Sequence, residues 1–209
     1  NSYSIHIDDC WQGLESTIKP YVGNKVMLVT DKNIEELFVH EITRILSSMG
    51  CQVSLAVVQP GESSKTLQVA ESLYTQALNA NLDRSSSIIA LGGGVVGDLA
   101  GFIAATYMRG INFIQIPTTL LAQVDSSVGG KVAVNHPLAK NIIGSFYQPK
   151  SVYINISTLS TLPHRQFSTG MAELIKYGFI WDSEFLGWLE SNIESLMLKQ
   201  KDVLAYAIQ

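Results

Sequence analysis

Gly92-Gly93-Gly94-Val95-Val96-Gly97-Asp98 carries the spacing G-x-G-x-x-G from Gly92 to Gly97, and the chemistry this permits is anion binding. The apolar run Ser87-Ile88-Ile89-Ala90-Leu91 before it reads as a buried strand, and Leu99 to Ala105 after it as a small-residue helix start. At a strand–glycine turn–helix junction, backbone N–H groups converge and the helix dipole favours negative charge. Glycine adds close approach, because no Cβ stands between main chain and ligand. A nucleotide-type ligand is therefore expected on this turn. A plain tight turn packed on the sheet fits the motif alone equally well. The usual fingerprint also wants an acid about 20 residues later, at the end of the next strand. That strand ends here at Ile116-Pro117 without one, and Asp31, ending an earlier strand, can hold a ribose instead.

A second group of residues offers positive charge. Asp125-Ser126-Ser127-Val128-Gly129-Gly130-Lys131 invites a P-loop reading but fails it. Position 125 is Asp rather than Gly, and Val132 replaces the magnesium-binding Ser/Thr. What remains is a flexible glycine pair presenting Lys131. Lys140-Asn141 follows in the same loop-rich region, and Arg109-Gly110 stands at a helix end just before a strand. Taken singly, each cation reads as a solvated surface charge. Gathered at ligand-bearing ends of an acidic chain with only 14 Lys+Arg, they point to a polyanion such as a phosphate plus a carboxylate. Glu173 and Lys176 stand at i and i+3 on one helix face, which by spacing is an ordinary ion pair. Their apolar neighbours Ala172, Leu174 and Ile175 raise a buried interface, where Glu173 can be a metal ligand or a base. The four histidines, His6, His40, His136 and His164, do not pair at metal-ligand spacing.

The elements that must position these groups follow from hydrophobic periodicity. Val26 to Thr30 reads as a strand closed by Asp31. Ile34, Leu37, Phe38, Ile42, Ile45, Leu46 and Met49 recur at helical spacing up to Gly50. Val53 to Val58 reads as a strand, Leu67 to Leu78 as a helix, Phe113 to Ile116 as a strand, and Pro117-Thr118-Thr119 opens a further helical piece. Residues 129–149 read as loop-rich, and Val152 to Ile154 as one last strand. Strands alternating with helices imply a Rossmann-like doubly wound parallel sheet, an α/β fold whose ligands lie beyond the carboxyl ends of the strands. Asp31, Glu62, the glycine turn and Thr118-Thr119 all fall at such ends. After residue 157 the pattern is wholly helical, so an α/β domain over 1–157 is expected, followed from 158 to 209 by the start of an all-α domain.

Composition narrows the classes. With 46% hydrophobic and 15% charged residues a large core is expected and disorder is not. A net charge of −4 argues against general nucleic-acid binding. The two cysteines have no CxxC spacing, and no apolar run reaches membrane-span length or forms a signal pattern, so no membrane association and a reducing cytoplasm are expected. The chain starts at Asn1 and stops inside a helical pattern at Gln209, which reads as a fragment.

In order along the chain, Pro60-Gly61-Glu62 with Lys65, Gly92 to Asp98, Arg109-Gly110, Pro117 to Ala122, Asp125 to Lys131, Lys140-Asn141 and Gly170 to Gly178 together resemble the 3-dehydroquinate synthase family over roughly residues 25–200. The resemblance implies conversion of 3-deoxy-D-arabino-heptulosonate 7-phosphate into 3-dehydroquinate, with NAD used catalytically, a divalent zinc or cobalt ion, and a homodimer. It implies an NAD site of Asp31, Asn33, Glu62, Lys65, Gly93, Gly94, Val95, Val96, Asp98, Thr118, Thr119, Lys131, Lys140, Asn141, Thr158, Leu159, Ser160 and Thr161. It implies substrate contacts from Arg109, Asp125, Lys131, Lys140 and Lys176, and Glu173 as the one metal ligand in this part of the family's sequence, the other two being histidines further on. A chain ending here is then expected to be inactive alone. Two departures from the family pattern are Gln166, where Glu is common, and Ala139, where Gly is usual. Rival readings are an inosose- or valiolone-type cyclase, a glycerol- or iron-dependent type alcohol dehydrogenase, and a non-catalytic nucleotide-binding module.

Overall fold

The computed structural model describes residues 2–209. Its centre is a six-stranded sheet in the order β1-β8-β5-β4-β2-β3, every pairing parallel. The strands are β1 (Ser4–Asp8), β2 (Lys25–Asp31), β3 (Gln52–Val58), β4 (Ser87–Gly92), β5 (Asn112–Pro117) and β8 (Ser151–Asn155). The helices α1 (Leu14–Ile18), α2 (Lys32–Ile34), α3 (His40–Ser48), α4 (Leu67–Asn79) and α5 (Gly94–Thr106) cover its two faces. The doubly wound α/β fold is thus present.

The period-2 alternation of side chains explains both faces. Met27, Val29, Ile88 and Ala90 point to one side and pack with Ala70 and Leu73 of α4 and Leu99, Ala100 and Ile103 of α5. Val26, Leu28, Ile89 and Leu91 point to the other and meet Leu14 of α1 and Ile42 and Leu46 of α3. Both faces are covered, so the central strands read as continuous apolar runs. A third core joins Leu120, Val152 and Ile154 to Phe167, Met171 and Leu174 of α6 (His164–Ile180). It extends to Leu189 of α7 (Ser183–Ser191), Leu196 of α8 (Ile193–Met197) and Leu204 of α9 (Lys201–Ile208). No helix among the described residues is long and apolar enough to cross a membrane.

One expectation fails. Residues 129–149 hold an antiparallel hairpin, β6 (Lys131–His136) with β7 (Ala139–Phe146). Only Val132 and Val134 of β6 are buried, under α5, while β7 is exposed except for partly buried Ile143. A strand with little apolar burial leaves no periodic signal. Val132 seats against Gly101, where a Cβ would lie 2.3 Å from Val132 Cγ1, so glycine is what lets the hairpin lie on the helix. The exposed strand β1 is likewise unmarked in the sequence.

Candidate active site

In the sheet, β2 and β4 are neighbours. β2 leads to β3 on one side and β4 leads to β5 on the other, so a crevice opens above their carboxyl ends. Asp31 closes β2 and the glycine turn closes β4, and the two share a cavity of about 430 Å³. Asn33, Pro60, Gly61, Gly93, Gly94, Val95, Val96, Thr118 and Thr119 line it, and so do Thr161, Leu162, Pro163 and Gln166.

Four features of its walls suit a nucleotide. Gly93 is the N-cap of α5 and no side chain caps that end, so the first N–H groups of a 13-residue helix are available to an anion. A Cβ on Gly93 would come to 3.0 Å from Thr119 Cγ2, and one on Gly94 to 2.9 Å from Ser126 Oγ. Side chains there would close the cradle. Thr118 is buried, yet its Oγ1 has no hydrogen-bond partner. Asp31 accepts from the backbone N–H of Asn33 (2.8 Å) and Ile34 (3.3 Å) through Oδ1 alone, leaving Oδ2 for a ligand.

A second cavity, of about 550 Å³, adjoins the first turn of α5. Asp98, Asp125, Ser126, Lys131, Asn141, Ile142 and Phe146 are among its lining residues. Lys65, whose side chain is only 4% exposed, pairs with Asp98 and donates to Asn141 Oδ1. A buried ammonium needs such partners, because a charge removed from water without them is costly. Burial pushes the Asp98 carboxyl above the ordinary carboxylate range. Lys65 works against that rise, and the negative charges of Glu62 and Asp125 add to it. Tyr177 donates to Asp125 Oδ1 at 3.4 Å and brings α6 to this wall.

The structure gathers the predicted residues unequally. Of the stretch Thr158 to Thr161, only Thr161 lines the first cavity. Thr158 and Leu159 are buried, and Ser160 is exposed with its hydroxyl bonded to Ser157 O (2.7 Å). Thr158 Oγ1 accepts from Gln123 Nε2 at 3.3 Å, so it braces the wall from behind. Lys140 is exposed and lines neither cavity. Arg109 lies beyond the far end of α5 from Gly94, exposed, in a run of three positive-φ residues, Met108, Arg109 and Gly110. Tyr147 connects that turn to the second cavity's rim, with its hydroxyl bonded to Ile111 O (2.7 Å) and its N–H to Gly130 O (2.7 Å).

Glu173 and Lys176 do pair, at a position that is partly covered rather than fully buried. Ala172 is exposed, Lys176 is half exposed, and Glu173 keeps 18% of its side chain in solvent. Among the described residues the one group of three or more potential metal ligands is Asp8, Asp9 and Cys10, which does not include Glu173. No group of three donors forms around Glu173 among the described residues, so they do not complete a metal centre there. Sequence reasoning missed Gln166 as a lining residue, since it stands out only as a departure from pattern, and missed Tyr177's reach to Asp125. The i, i+4 spacing of Glu173 and Tyr177 on one helix was the available signal.

Residues 55–169 match the family model for the 3-dehydroquinate synthase N-terminal domain, and residues 170–209 match that for the C-terminal domain. A 3-dehydroquinate synthase of Pelotomaculum thermopropionicum is 57% identical over 188 residues, covering 90% of this chain and 51% of the relative. One of Shewanella pealeana is 53% identical over 211 residues, covering 99% of this chain and 58% of the relative. The crystal structure of a 2-deoxy-scyllo-inosose synthase complexed with carbaglucose-6-phosphate, NAD+ and Co2+ superposes with a TM-score of 0.79 at 28% identity, covering 96% of this chain and 59% of that one. The chain spans just over half the length of the curated relatives it matches.

Proposed function

This chain belongs to the 3-dehydroquinate synthase family, and from that premise we propose that the full-length protein converts 3-deoxy-D-arabino-heptulosonate 7-phosphate into 3-dehydroquinate and phosphate. The observation that carries the proposal is the pair of adjoining cavities flanking the start of α5. One is walled by free helix N–H groups, and the other by Lys131, Asp125 and Asn141. NAD, when bound, supplies a hydride acceptor that returns the hydride later in the same turnover. The N–H groups of Gly94 and Val95 would hold its pyrophosphate, Asp31 would take ribose hydroxyls, and Thr118 Oγ1 would find its missing partner. Asp98 and Lys65 fix the floor between the cofactor and the second cavity.

The substrate's phosphate and carboxylate are anions, and Lys131 is the cation already on the wall that meets them. Arg109, Lys140 and Lys176, none of which lines either cavity, are the further anion contacts of this reading. Oxidation of a ring hydroxyl acidifies the neighbouring C–H, which permits loss of phosphate. Reduction of the ketone, opening of the ring C–O bond and an aldol closure then give the carbocycle. The segment from residue 158 onward is read as the opening of the helical domain, with Glu173 as its first metal ligand. A homodimer and a cytoplasmic location belong to the same reading.

The identities favour this substrate over another cyclase ring, because the dehydroquinate synthases stand at 53–57% and the inosose synthase at 28%. The test is phosphate release from the heptulosonate by full-length protein. Release that requires NAD, shows no net NADH and stops on chelation supports the assignment. No release from folded, NAD-loaded, metal-loaded protein sinks it.

A further inference from the structure

We infer that Asn135 is a positioning residue that fastens the hairpin's Lys140–Asn141 corner to the Glu62–Lys65 loop, and so holds the cofactor and anion cavities in register. The functional half of this inference rests on the nucleotide reading above. Asn135 lines neither cavity. It sits at the irregularity in the β6–β7 ladder between Val134 and His136, where this single residue of β6 stands against Lys140, Asn141 and Ile142 of β7.

Its main-chain N–H and both ends of its side-chain amide are engaged, toward the Glu62–Lys65 loop on one side and Asn141 on the other. Its N–H donates to Lys65 O at 2.8 Å, and it bridges Thr66. Its Nδ2 donates to Glu62 Oε1 at 2.6 Å. Its Oδ1 accepts from the N–H of Asn141 at 2.8 Å. Asn141 is held by this bond with φ +56, a conformation most side chains avoid. In that pose Asn141 offers its own Oδ1 to Lys65, which also pairs with Asp98. The contacts close a ring: Lys65, Asn141, Asn135, and back to Lys65 through the main chain, with Glu62 fastened to its side.

The chemistry of the ring selects an amide. An ionised Glu62 only accepts and the Asn141 N–H only donates, so position 135 must present a donor to one and an acceptor to the other. Asp at 135 keeps the bond to Asn141 but sets two carboxylates against each other. Ala loses both bonds.

Two measurements on the full-length protein test this. The first is amide hydrogen exchange at Asn141 without nucleotide, in wild type and Asn135→Ala. Protection in wild type and fast exchange in the variant are expected, and equal exchange overturns the positioning role whatever the protein binds. The second is NAD titration. Asn135→Asp is expected to weaken NAD by about tenfold or more. The double variant Glu62→Gln/Asn135→Asp, which restores a donor–acceptor pair of reversed polarity, is expected to bind more tightly than Asn135→Asp alone. Unchanged affinity in Asn135→Asp, or no recovery in the double variant, overturns the functional half. Wild type that shows the exchange pattern but binds no NAD overturns the nucleotide reading itself and leaves the fastening intact.

Discussion

The Thr118 hydroxyl is under two opposing demands. It is buried without a partner, which costs about 1–3 kcal/mol in the free protein. It also stands in the wall where a dinucleotide would supply that partner. Thr118→Val is nearly isosteric and removes the polar atom. Unliganded stability in urea is therefore expected to hold or to rise by up to about 1 kcal/mol. NAD affinity of the same full-length variant is expected to fall roughly fivefold, the worth of one ordinary hydrogen bond. The informative result is the opposition of signs. A variant that loses stability and affinity together would show that the hydroxyl serves the fold, not the ligand.

At the level of elements, legibility in the sequence follows burial. β2, β4 and β5 are covered on both faces, so their apolar runs and the glycine turn between β4 and α5 are evident from residue types alone. The hairpin is not, because β7 has an almost wholly exposed pattern and Gly101, which admits β6 onto α5, looks like any small helix residue. The same limit applies within the site. Asp31, Gly93, Gly94 and Thr118 declare themselves by standing at strand ends. Lys65's burial and Asn135's bridging depend on a hairpin that periodicity does not reveal.

Gly170 is a comparable case in α6. A Cβ there would lie 2.6 Å from Leu120 Cβ and 2.7 Å from Leu121 N, against the helical piece that follows β5. Main chain cannot yield as a side-chain tip can. Gly170→Ala is thus expected to destabilise by about 1–3 kcal/mol despite alanine's better helix propensity. Its melting temperature should drop by roughly 2–4 °C per kcal/mol. Thermal unfolding of the variant checks this, and an unchanged or raised midpoint would mean that α6 does not press on Leu120 as described.

Across the whole molecule, the carboxylates divide into those the fold favours ionised and those it does not, and the two groups give stability opposite pH slopes. Hydrogen bonds from Ser85 and Ser86 hold the Asp83 carboxyl below its ordinary value. For Asp8, burial raises the pKa, but the bonds from the Asp9 N–H, Tyr153 and Cys10 together outweigh it and hold the carboxyl low. Each lowered group contributes stability that is present above the unfolded carboxylate pKa of about 3.9 and is lost as pH falls through the lower folded value. Asp98 runs the other way. Burial raises it in spite of Lys65, so the folded state binds its proton more tightly than the unfolded chain does. As pH falls from neutral through the folded value towards about 3.9, wild type should gain stability relative to Asp98→Asn. Over more acidic pH, wild type should lose its advantage over Asp83→Asn. Urea unfolding of the three proteins at a series of pH values measures both slopes at once. A stability difference between wild type and Asp98→Asn that shrinks on acidification would place the Asp98 carboxyl below the ordinary range. It would then be Lys65, rather than burial, that governs the floor between the two cavities.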